Sequence, residues 1–408
     1  DRVRRLDAAF EPLDRLIAYS VKANGNLSIL RLLAAEGCGA DIVSGGELYR
    51  ALRAGIPPGR IVFSGVGKTA PELDAALEAG ILCFNVESEG ELRLLAERGR
   101  AAGRTAPIAI RINPDIESPT PHAYTRTGHR ATKFGVASED APGLYRLAAE
   151  LEGVEPVGID AHIGSQIVEP EPYRQSLLHL LELVGSLADE GIPLRLLDLG
   201  GGFGVAYEAE SDPEPESFAE RIVPHLAPSG LRLILEPGRY VIGHAGVLLT
   251  RVLYVKRTGE KTFVITDAGM NDLLRPSHYS SYHRVEPVRV ESWINHIRAA
   301  TLNKADHIQD AHPHRTRPVP RRRHRQNTRP DPPRRHPAPP QGPGRHLPVA
   351  KGGDDLPLGA EVIVTDEGGR GAERPRLGEL VDAIDPLMAR PRSGCSRTRD
   401  RLTLPSIV

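Results

Sequence analysis

A lysine at the end of an apolar run is the first residue in the sequence whose position points to chemistry. The run Leu16–Val21 predicts a buried strand, Lys22 follows it, and Asn24-Gly25-Asn26 then turns the chain. Burial at a strand end disfavours the ammonium form, which lowers the pKa of the amine and makes it a better nucleophile toward a carbonyl. Taken alone, Lys22 also fits the simpler interpretation of a lysine that extends into solvent.

Three other strand ends carry groups that would complement such an amine. His162 ends one apolar run and supplies a flat ring, with Asp160 on the same side of the strand. Gly201 and Gly202 follow a second run, and consecutive glycines allow backbone N–H groups to converge on an anion. Glu236 ends a third run, where a carboxylate favours a protonated pyridine nitrogen. Singly, these groups fit a structural histidine, a flexible turn and a surface salt bridge.

Together, an amine, a flat ring, an anion cradle and a carboxylate are what pyridoxal 5′-phosphate (PLP) requires. The aldehyde of PLP would take Lys22, and its ring would lie against His162. Its phosphate would take Gly201 and Gly202, and its ring nitrogen would face Glu236. PLP withdraws electrons from the Cα atom of an amino acid, so the sequence predicts an enzyme of amino-acid chemistry. No metal site is predicted.

Apolar runs alternate with segments of helical period from residue 16 to about residue 243. Continuous apolar strands separated by amphipathic helices indicate a parallel sheet covered by helices. Eight such strands predict the α/β class and a closed (β/α)8 TIM-like barrel over residues 1–243, with the active site at the carboxyl ends of the strands. An open doubly wound sheet is the alternative. The predicted strands are Leu16–Val21, Ala40–Val43, Ile61–Ser64, Leu82–Val86, Ile108–Ile112, Gly158–Ile163, Leu196–Leu199 and Leu233–Leu235.

The pattern changes after the predicted barrel. Val247–Val255 and Thr262–Asp267 are β-branched runs separated by a turn, so residues 244–295 predict an incomplete β-rich domain that opens with a hairpin. Residues 296–408 predict a largely disordered tail, within which only a short strand, Glu361–Thr365, is recognisable.

The segment from His312 to His346 is dominated by Pro, Arg and His. One interpretation is a basic arm that binds nucleic acid. The other, which we favour, is the arginine and proline bias of a GC-rich reading frame translated out of phase. We therefore predict no nucleic-acid partner.

Composition excludes several other classes of protein. The formal net charge is −1, with 40% hydrophobic and 26% charged residues, so no overall field favours nucleic acid or an anionic membrane. No run of about 18 apolar residues predicts a membrane span. The three cysteines are scattered, which fits a reducing cytoplasm better than a disulfide-built secreted domain.

Residues 14–290 resemble the fold-type III PLP-dependent decarboxylases, and within them the diaminopimelate branch. Tyr19-Ser20-Val21-Lys22-Ala23-Asn24 is similar to the motif around the family's Schiff-base lysine. Other motifs follow in family order: Ser44–Leu48, Phe84–Ser88, His162–Gln166, the glycine run and Glu236–Arg239. The diaminopimelate branch is indicated by Arg111–Asp115, by Thr127-Gly128 with Lys133–Gly135, and by Asp272–Pro276 with Tyr279.

The resemblance implies the decarboxylation of meso-2,6-diaminopimelate to L-lysine and CO2 in lysine biosynthesis, by a homodimer. It implies that Arg239, Arg275 and Tyr279 bind the carboxylates of this amino-acid substrate. It also implies that Asp41 orients His162, and that Glu47 lies near the lysine. The catalytic residues would be Lys22 and His162, and the cofactor-binding residues Lys22, Asp41, His162, Ser165, Gly201, Gly202, Glu236, Gly238 and Arg239.

One departure from the family bears on activity. The family's Cys-Glu-Ser motif, which carries the proton-donor cysteine, is absent: Val290-Glu291-Ser292 lacks the cysteine, and Cys395 is followed by Ser396. The resemblance implies that this half of the site is lent across the dimer interface, so both sites of a homodimer would lack it. We therefore expect PLP binding with impaired turnover. The alternatives are a non-catalytic PLP-binding protein and a related amino-acid decarboxylase or racemase.

Overall fold

The computed structural model describes residues 1–116, 133–207, 212–258, 261–279, 281–287 and 361–365. Eight parallel strands form a closed ring in the order β1-β2-β3-β4-β5-β7-β8-β9, and β9 pairs again with β1. The (β/α)8 barrel is thus confirmed over the open sheet. The strands up to the end of the barrel are β1 Arg15–Ser20, β2 Gly39–Ile42, β3 Ile61–Phe63, β4 Cys83–Val86, β5 Ala106–Asn113, the short β6 Val136–Ala137 beside β5, β7 Val154–Asp160, β8 Leu196–Asp198 and β9 Arg232–Leu235.

Helices cover the outside of the barrel, and several begin at a capping residue. The Ser44 side chain accepts the Glu47 N–H at the start of α3, Gly45–Ala54, and Thr69 with Glu72 forms a capping box at the start of α4, Ala70–Ala79. Helix α1 was not predicted, because only Val3 and Leu6 within it are buried. The helices are α1 Arg2–Ala9, α2 Leu27–Ala35, α3 Gly45–Ala54, α4 Ala70–Ala79, α5 Glu89–Ala101, α6 Ala141–Glu150, α7 Glu171–Asp189, α8 Pro215–Leu226, α9 Arg239–Ile242 and α10 Arg275–Tyr279.

The strands bury one face in the barrel interior and the other against the helices. The larger apolar core lies between strands and helices and includes Tyr19, Ala40 and Ile42. A smaller cluster, here called the apolar plug, fills the inside of the barrel. The plug comprises Leu16, Ala18, Val62, Cys83, Ala109, Val157, Leu196 and Ile234. It forms a floor beneath the carboxyl ends of the strands.

A four-stranded sheet follows the barrel. The predicted hairpin is present: β10 Val247–Thr258 pairs antiparallel with β11 Lys261–Thr266. The sheet also contains β12 Arg284–Pro287 and β13 Glu361–Thr365, and β13 pairs with both β10 and β12. The short strand predicted within the tail, Glu361–Thr365, thus pairs in this sheet, and the domain boundaries stay predictions.

The rest of the predicted tail, including the Pro/Arg-rich segment 312–346, lies outside the described residues, as does Thr127-Gly128. Among the helices that the structure describes, none has the length and apolarity that crossing a membrane requires.

Candidate active site

Eight buried polar residues, one from each barrel strand, lie in one layer above the apolar plug. Each sits within two residues of the carboxyl end of its strand, and at most 7% of each is exposed. We call this layer the polar ring; it comprises Ser20, Asp41, Ser64, Asn85, Arg111, Asp160, Asp198 and Glu236. Asn85 and Ser64 contact Glu236 from across the barrel, which establishes that these side chains point inward. Four carboxyl groups against one guanidinium make the ring strongly acidic.

Lys22 projects over this ring from a short 3₁₀ turn, Val21–Ala23, that follows β1. Its Nζ atom donates to Asp41 Oδ2 at 2.5 Å and to Ser20 Oγ at 3.2 Å, and 42% of the side chain is exposed at the barrel mouth. Burial of the amine opposes its charge, but the carboxylates of Asp41, Glu236 and Glu47 outweigh burial and raise the pKa of Lys22. The expectation from the sequence that the pKa of Lys22 is lowered was therefore wrong.

The pKa of Lys22 leads to a prediction about cofactor loading. Because only the neutral amine attacks an aldehyde, and the pKa lies above its ordinary value, the rate of covalent PLP attachment should rise as the pH increases through the alkaline range. Asp41→Asn removes the nearest carboxylate, so it should lower the pKa of Lys22 and shift this profile to lower pH. Stopped-flow absorption of PLP added to the apoprotein measures the profile; identical profiles for both proteins would contradict the prediction.

Asp41 binds Lys22, and the role that the resemblance implies for it, the orientation of His162, stays a prediction. Its Oδ2 atom accepts from Lys22 and from Ser20 Oγ, the latter at 2.7 Å. The ammonium is the stronger partner because the hydrogen bond joins opposite charges. The other oxygen, Oδ1, is buried and accepts no hydrogen bond within the described residues, so it retains a place for a donor. Glu47 lies near the lysine as expected, and its carboxylate accepts the Val43 N–H.

His162 is a neutral imidazole that is held against the glycine run. Its Nδ1 atom accepts the Gly201 N–H at 3.1 Å, so the proton of the neutral ring is on Nε2. Burial, and then the positive charges of Arg111 and Lys22, hold the pKa of His162 well below its usual value. A neutral aromatic ring fixed in this way suits stacking against a flat cofactor.

The glycine run after β8 is required by close packing. A Cβ atom on Gly201 would lie 2.0 Å from the Glu236 carbonyl oxygen, and one on Gly202 would lie 2.2 Å from the Gly164 carbonyl oxygen. The Gly201 carbonyl accepts the Tyr173 hydroxyl at 2.6 Å, which fixes this peptide group. The loop therefore has the rigid, side-chain-free surface that a phosphate group needs.

Gly202→Ala should abolish PLP retention and destabilise the chain. Gly202 has φ +99°, which costs an alanine about 1–3 kcal/mol, and the clash with Gly164 adds to that cost. Gly143→Ala is the matched control, because Gly143 lies in α6 with open space around its Cβ position. Thermal unfolding and absorption of bound PLP measure both effects. A Gly202→Ala protein that loads PLP and unfolds like the wild type would contradict the assignment.

The environment of the polar ring raises the pKa of Glu236. Its Oε1 atom accepts from Ser64 Oγ at 3.2 Å and from Asn85 Nδ2 at 3.4 Å. Burial and the neighbouring Asp198 and Asp41 carboxylates raise the pKa of Glu236 well above its usual value, and burial raises that of Asp198 to about 6. Both carboxyl groups bind protons more tightly in the folded chain than in the unfolded chain. Proton binding therefore adds to the free energy of unfolding at low pH, and this contribution is lost as the pH rises from about 4 through the folded-state pKa values. The protonated ring nitrogen of PLP would bring a positive charge to these carboxyl groups.

The loop after Glu236 packs closely on the lysine turn. A Cβ atom on Gly238 would lie 3.1 Å from the Cβ atoms of both Ala23 and Ser20, and the Ser20 N–H donates to the Pro237 carbonyl at 3.2 Å. Gly238 therefore supports the position of Lys22 in addition to lying in the cofactor site.

The predicted anion-binding residues converge on one side of the barrel mouth. Arg239 Nη2 donates to Ser165 Oγ at 3.4 Å, and the Arg275 guanidinium lies 5.6 Å from the centre of the Tyr279 ring. Both arginines also donate to the hydroxyl of Tyr207, Arg275 at 3.2 Å. Tyr207 was not predicted, because nothing in its type or spacing separates it from an ordinary loop tyrosine.

The residues present fit PLP. Asp41 has an unused acceptor oxygen, Gly201 and Gly202 form a cradle that any Cβ atom would fill, and Glu236 lies in a ring with four carboxyl groups and one guanidinium. Lys22 supplies an amine that contacts a carboxylate of this ring. A (β/α)8 barrel with this constellation defines the class of barrel enzymes that hold PLP on a lysine.

Comparison with known proteins agrees with that class. Residues 1–243 match the model of the pyridoxal-dependent decarboxylase family, pyridoxal binding domain. The chain is 48% identical over 279 residues to diaminopimelate decarboxylase of Aquifex aeolicus, which covers 68% of this chain and 66% of the relative. It is 47% identical over 283 residues to that of Neisseria meningitidis serogroup B, which covers 69% and 68%. The chain thus spans about two thirds of the length of these curated relatives.

A solved structure gives the same result. The crystal structure of diaminopimelate decarboxylase from Helicobacter pylori complexed with L-lysine has a TM-score of 0.69 and 44% identity, over 71% of this chain and 73% of that one. The chain belongs to the pyridoxal-dependent decarboxylases, and within them to the diaminopimelate decarboxylase group.

Proposed function

We propose that this chain is a carboxy-lyase that converts meso-2,6-diaminopimelate to L-lysine and CO2 in lysine biosynthesis. The proposal rests on one observation. Lys22, which is paired with Asp41, and the two arginines Arg239 and Arg275 all lie at one barrel mouth. An amine for the cofactor and two guanidiniums suit a substrate with two carboxylates. The similarity to diaminopimelate decarboxylases supports the same substrate.

The proposed cofactor site uses the residues predicted from the sequence. Lys22 would hold PLP covalently, His162 would lie against its ring, and Glu236 would face its nitrogen. Gly201, Gly202, Ser165, Gly238 and Arg239 would surround its phosphate. When bound, PLP supplies an electron sink for the bond that breaks at Cα of the substrate.

The residues of the chain orient the substrate and manage its protons. Arg239 and Arg275 would hold one carboxylate of the substrate and so leave the other to depart as CO2. A proton must then replace the lost carboxylate at the same carbon. Asp41 would accept the proton of the Lys22 ammonium, since its Oδ2 atom already lies 2.5 Å from Nζ.

We also propose a cytoplasmic homodimer. The buried free thiols of Cys38 and Cys83 support a reducing compartment. The dimer rests on the family resemblance, and light scattering during size-exclusion chromatography tests it: a mass near that of one chain at micromolar concentration would count against it.

The substrate is tested on the PLP-loaded full chain. The absorption of bound PLP should change on addition of meso-2,6-diaminopimelate and not on addition of L-ornithine or L-arginine, and mass spectrometry should detect L-lysine as the product. A response to ornithine or arginine alone would assign a different amino acid. If PLP is bound and none of the three amino acids changes its absorption, the chain is a PLP-binding protein that lacks the proposed activity.

A further inference from the structure

Tyr207 connects two arginines that come from different parts of the chain. Arg239 begins α9 beside the barrel, whereas Arg275 begins α10 after the β10–β11 hairpin. Arg239 Nη1 and Arg275 Nη2 both donate to the Tyr207 hydroxyl oxygen. Their guanidinium carbons also lie 5.9 and 5.8 Å from the centre of its ring. One side chain therefore makes both a hydrogen bond and a cation–π contact with each arginine.

This contact offsets the repulsion between two like charges. The negative face of the tyrosine ring and the two acceptor positions of its oxygen stabilise guanidinium groups that would otherwise separate. Because both acceptor positions are used, the hydroxyl has only its proton left to donate, and a donor of this kind suits an anion. Arg239 Nε is buried and has no hydrogen-bond partner among the described residues, so the pair keeps donor capacity for a ligand.

The anion that fits both arginines together is the carboxylate of a substrate, whereas the cofactor phosphate would contact Arg239 alone. Ser165, which is assigned to the phosphate, contacts only Arg239 of the two, at 3.4 Å. Arg275 instead contacts Ser281 Oγ at 3.1 Å, on the side of the β-rich sheet. The pair therefore reaches from Ser165, in the proposed phosphate site, to Ser281 beyond α10.

We infer that Tyr207 is a positioning residue that holds Arg239 and Arg275 as one carboxylate-binding pair, and that it thereby selects amino acids that keep a carboxylate distant from the reacting carbon. This role rests on the proposed function, and it assigns to Tyr207 a part in specificity. Positioning two guanidiniums before the ligand arrives reduces the conformational entropy that binding would otherwise cost.

The inference is tested with two ligands that differ in a carboxylate. L-lysine carries a carboxylate and cadaverine is the same diamine without it; each is titrated into PLP-loaded chain while the absorption of the cofactor is followed. Tyr207→Phe keeps the ring and removes the hydroxyl, so it should weaken L-lysine binding about ten-fold and leave cadaverine binding unchanged. Tyr207→Ala, which also loses the ring, should weaken L-lysine binding at least as much.

The controls separate this role from a structural one. Tyr49→Phe is the matched control, because Tyr49 is 63% exposed on α3, and it should bind both ligands like the wild type. Equal weakening of both ligands in Tyr207→Phe would mean a general structural role and would overturn the inference, as would unchanged L-lysine binding. If the wild type carries PLP on Lys22 but ignores L-lysine, the proposed substrate fails and the role of Tyr207 fails with it.

Discussion

Lys22→Ala is expected to remove covalent PLP attachment entirely. Lys22 carries an amine that lies over the polar ring and contacts the Asp41 carboxylate directly. The other well-placed candidate, Lys68, is fully buried and bonded to Glu91 and to two carbonyl oxygens, so it has no route to the cofactor. Borohydride reduction followed by peptide mapping should find the phosphopyridoxyl group on the Lys22 peptide of the wild type and on no peptide of the variant.

Lys256→Ala is the control for this experiment, since Lys256 is an exposed residue of β10 in its pairing with β11. It should load PLP like the wild type. The phosphate cradle of Gly201 and Gly202 is intact in Lys22→Ala, so the variant should still bind PLP reversibly and release it on dialysis. A phosphopyridoxyl group found on another lysine of the Lys22→Ala protein would contradict the assignment of Lys22 as the residue that holds PLP.

The second large effect concerns turnover. The chain should load PLP and bind substrate, yet release CO2 about 10²–10⁴-fold more slowly than a relative that has the Cys-Glu-Ser motif, because general acid catalysis typically contributes that factor. The Neisseria meningitidis enzyme, 47% identical over the shared region, is the comparison. The measurement is CO2 release and L-lysine formation per bound PLP at saturating substrate.

The design of this comparison separates loading from chemistry. Equal PLP content and equal spectral response to substrate, with slow product formation, would support the missing proton donor. Rates equal to those of the relative would show that another group in the chain donates the proton, and the prediction of impairment would be wrong.

The fold was predictable because each barrel strand is a continuous apolar run that ends at a polar residue. Most ends of the predicted strands lie within one or two residues of those in the structure. The exception is β7, which begins and ends a few residues earlier than predicted, and the closed ring contains the predicted number of strands. Lys22, His162 and Glu236 could be found for the same reason, since each ends such a run. Helix α1 was missed because its short apolar pattern is masked by arginines.

The electrostatics of the site could not be predicted in the same way. The sign of the Lys22 pKa shift depends on how many carboxylates face the amine, and that number is fixed only when all eight strand ends meet. Asp198 carries no motif, yet it lies beside Glu236 because β8 and β9 are neighbours. Tyr207 and Arg275 are far apart in the chain, and their contact follows from tertiary structure alone.

The polar ring also specifies the register of the barrel. Asp41 is flanked by Ala40 and Ile42, which both belong to the apolar core beneath the helices. Because side chains alternate along a strand, sliding β2 by one residue would turn the Asp41 carboxylate into that core, unpaired, at a cost of several kcal/mol. The same holds for Asp198 and Glu236 on their strands. The residues proposed to serve the cofactor therefore also discriminate against misaligned barrels, so neutralising several of them together should yield mixed strand pairings.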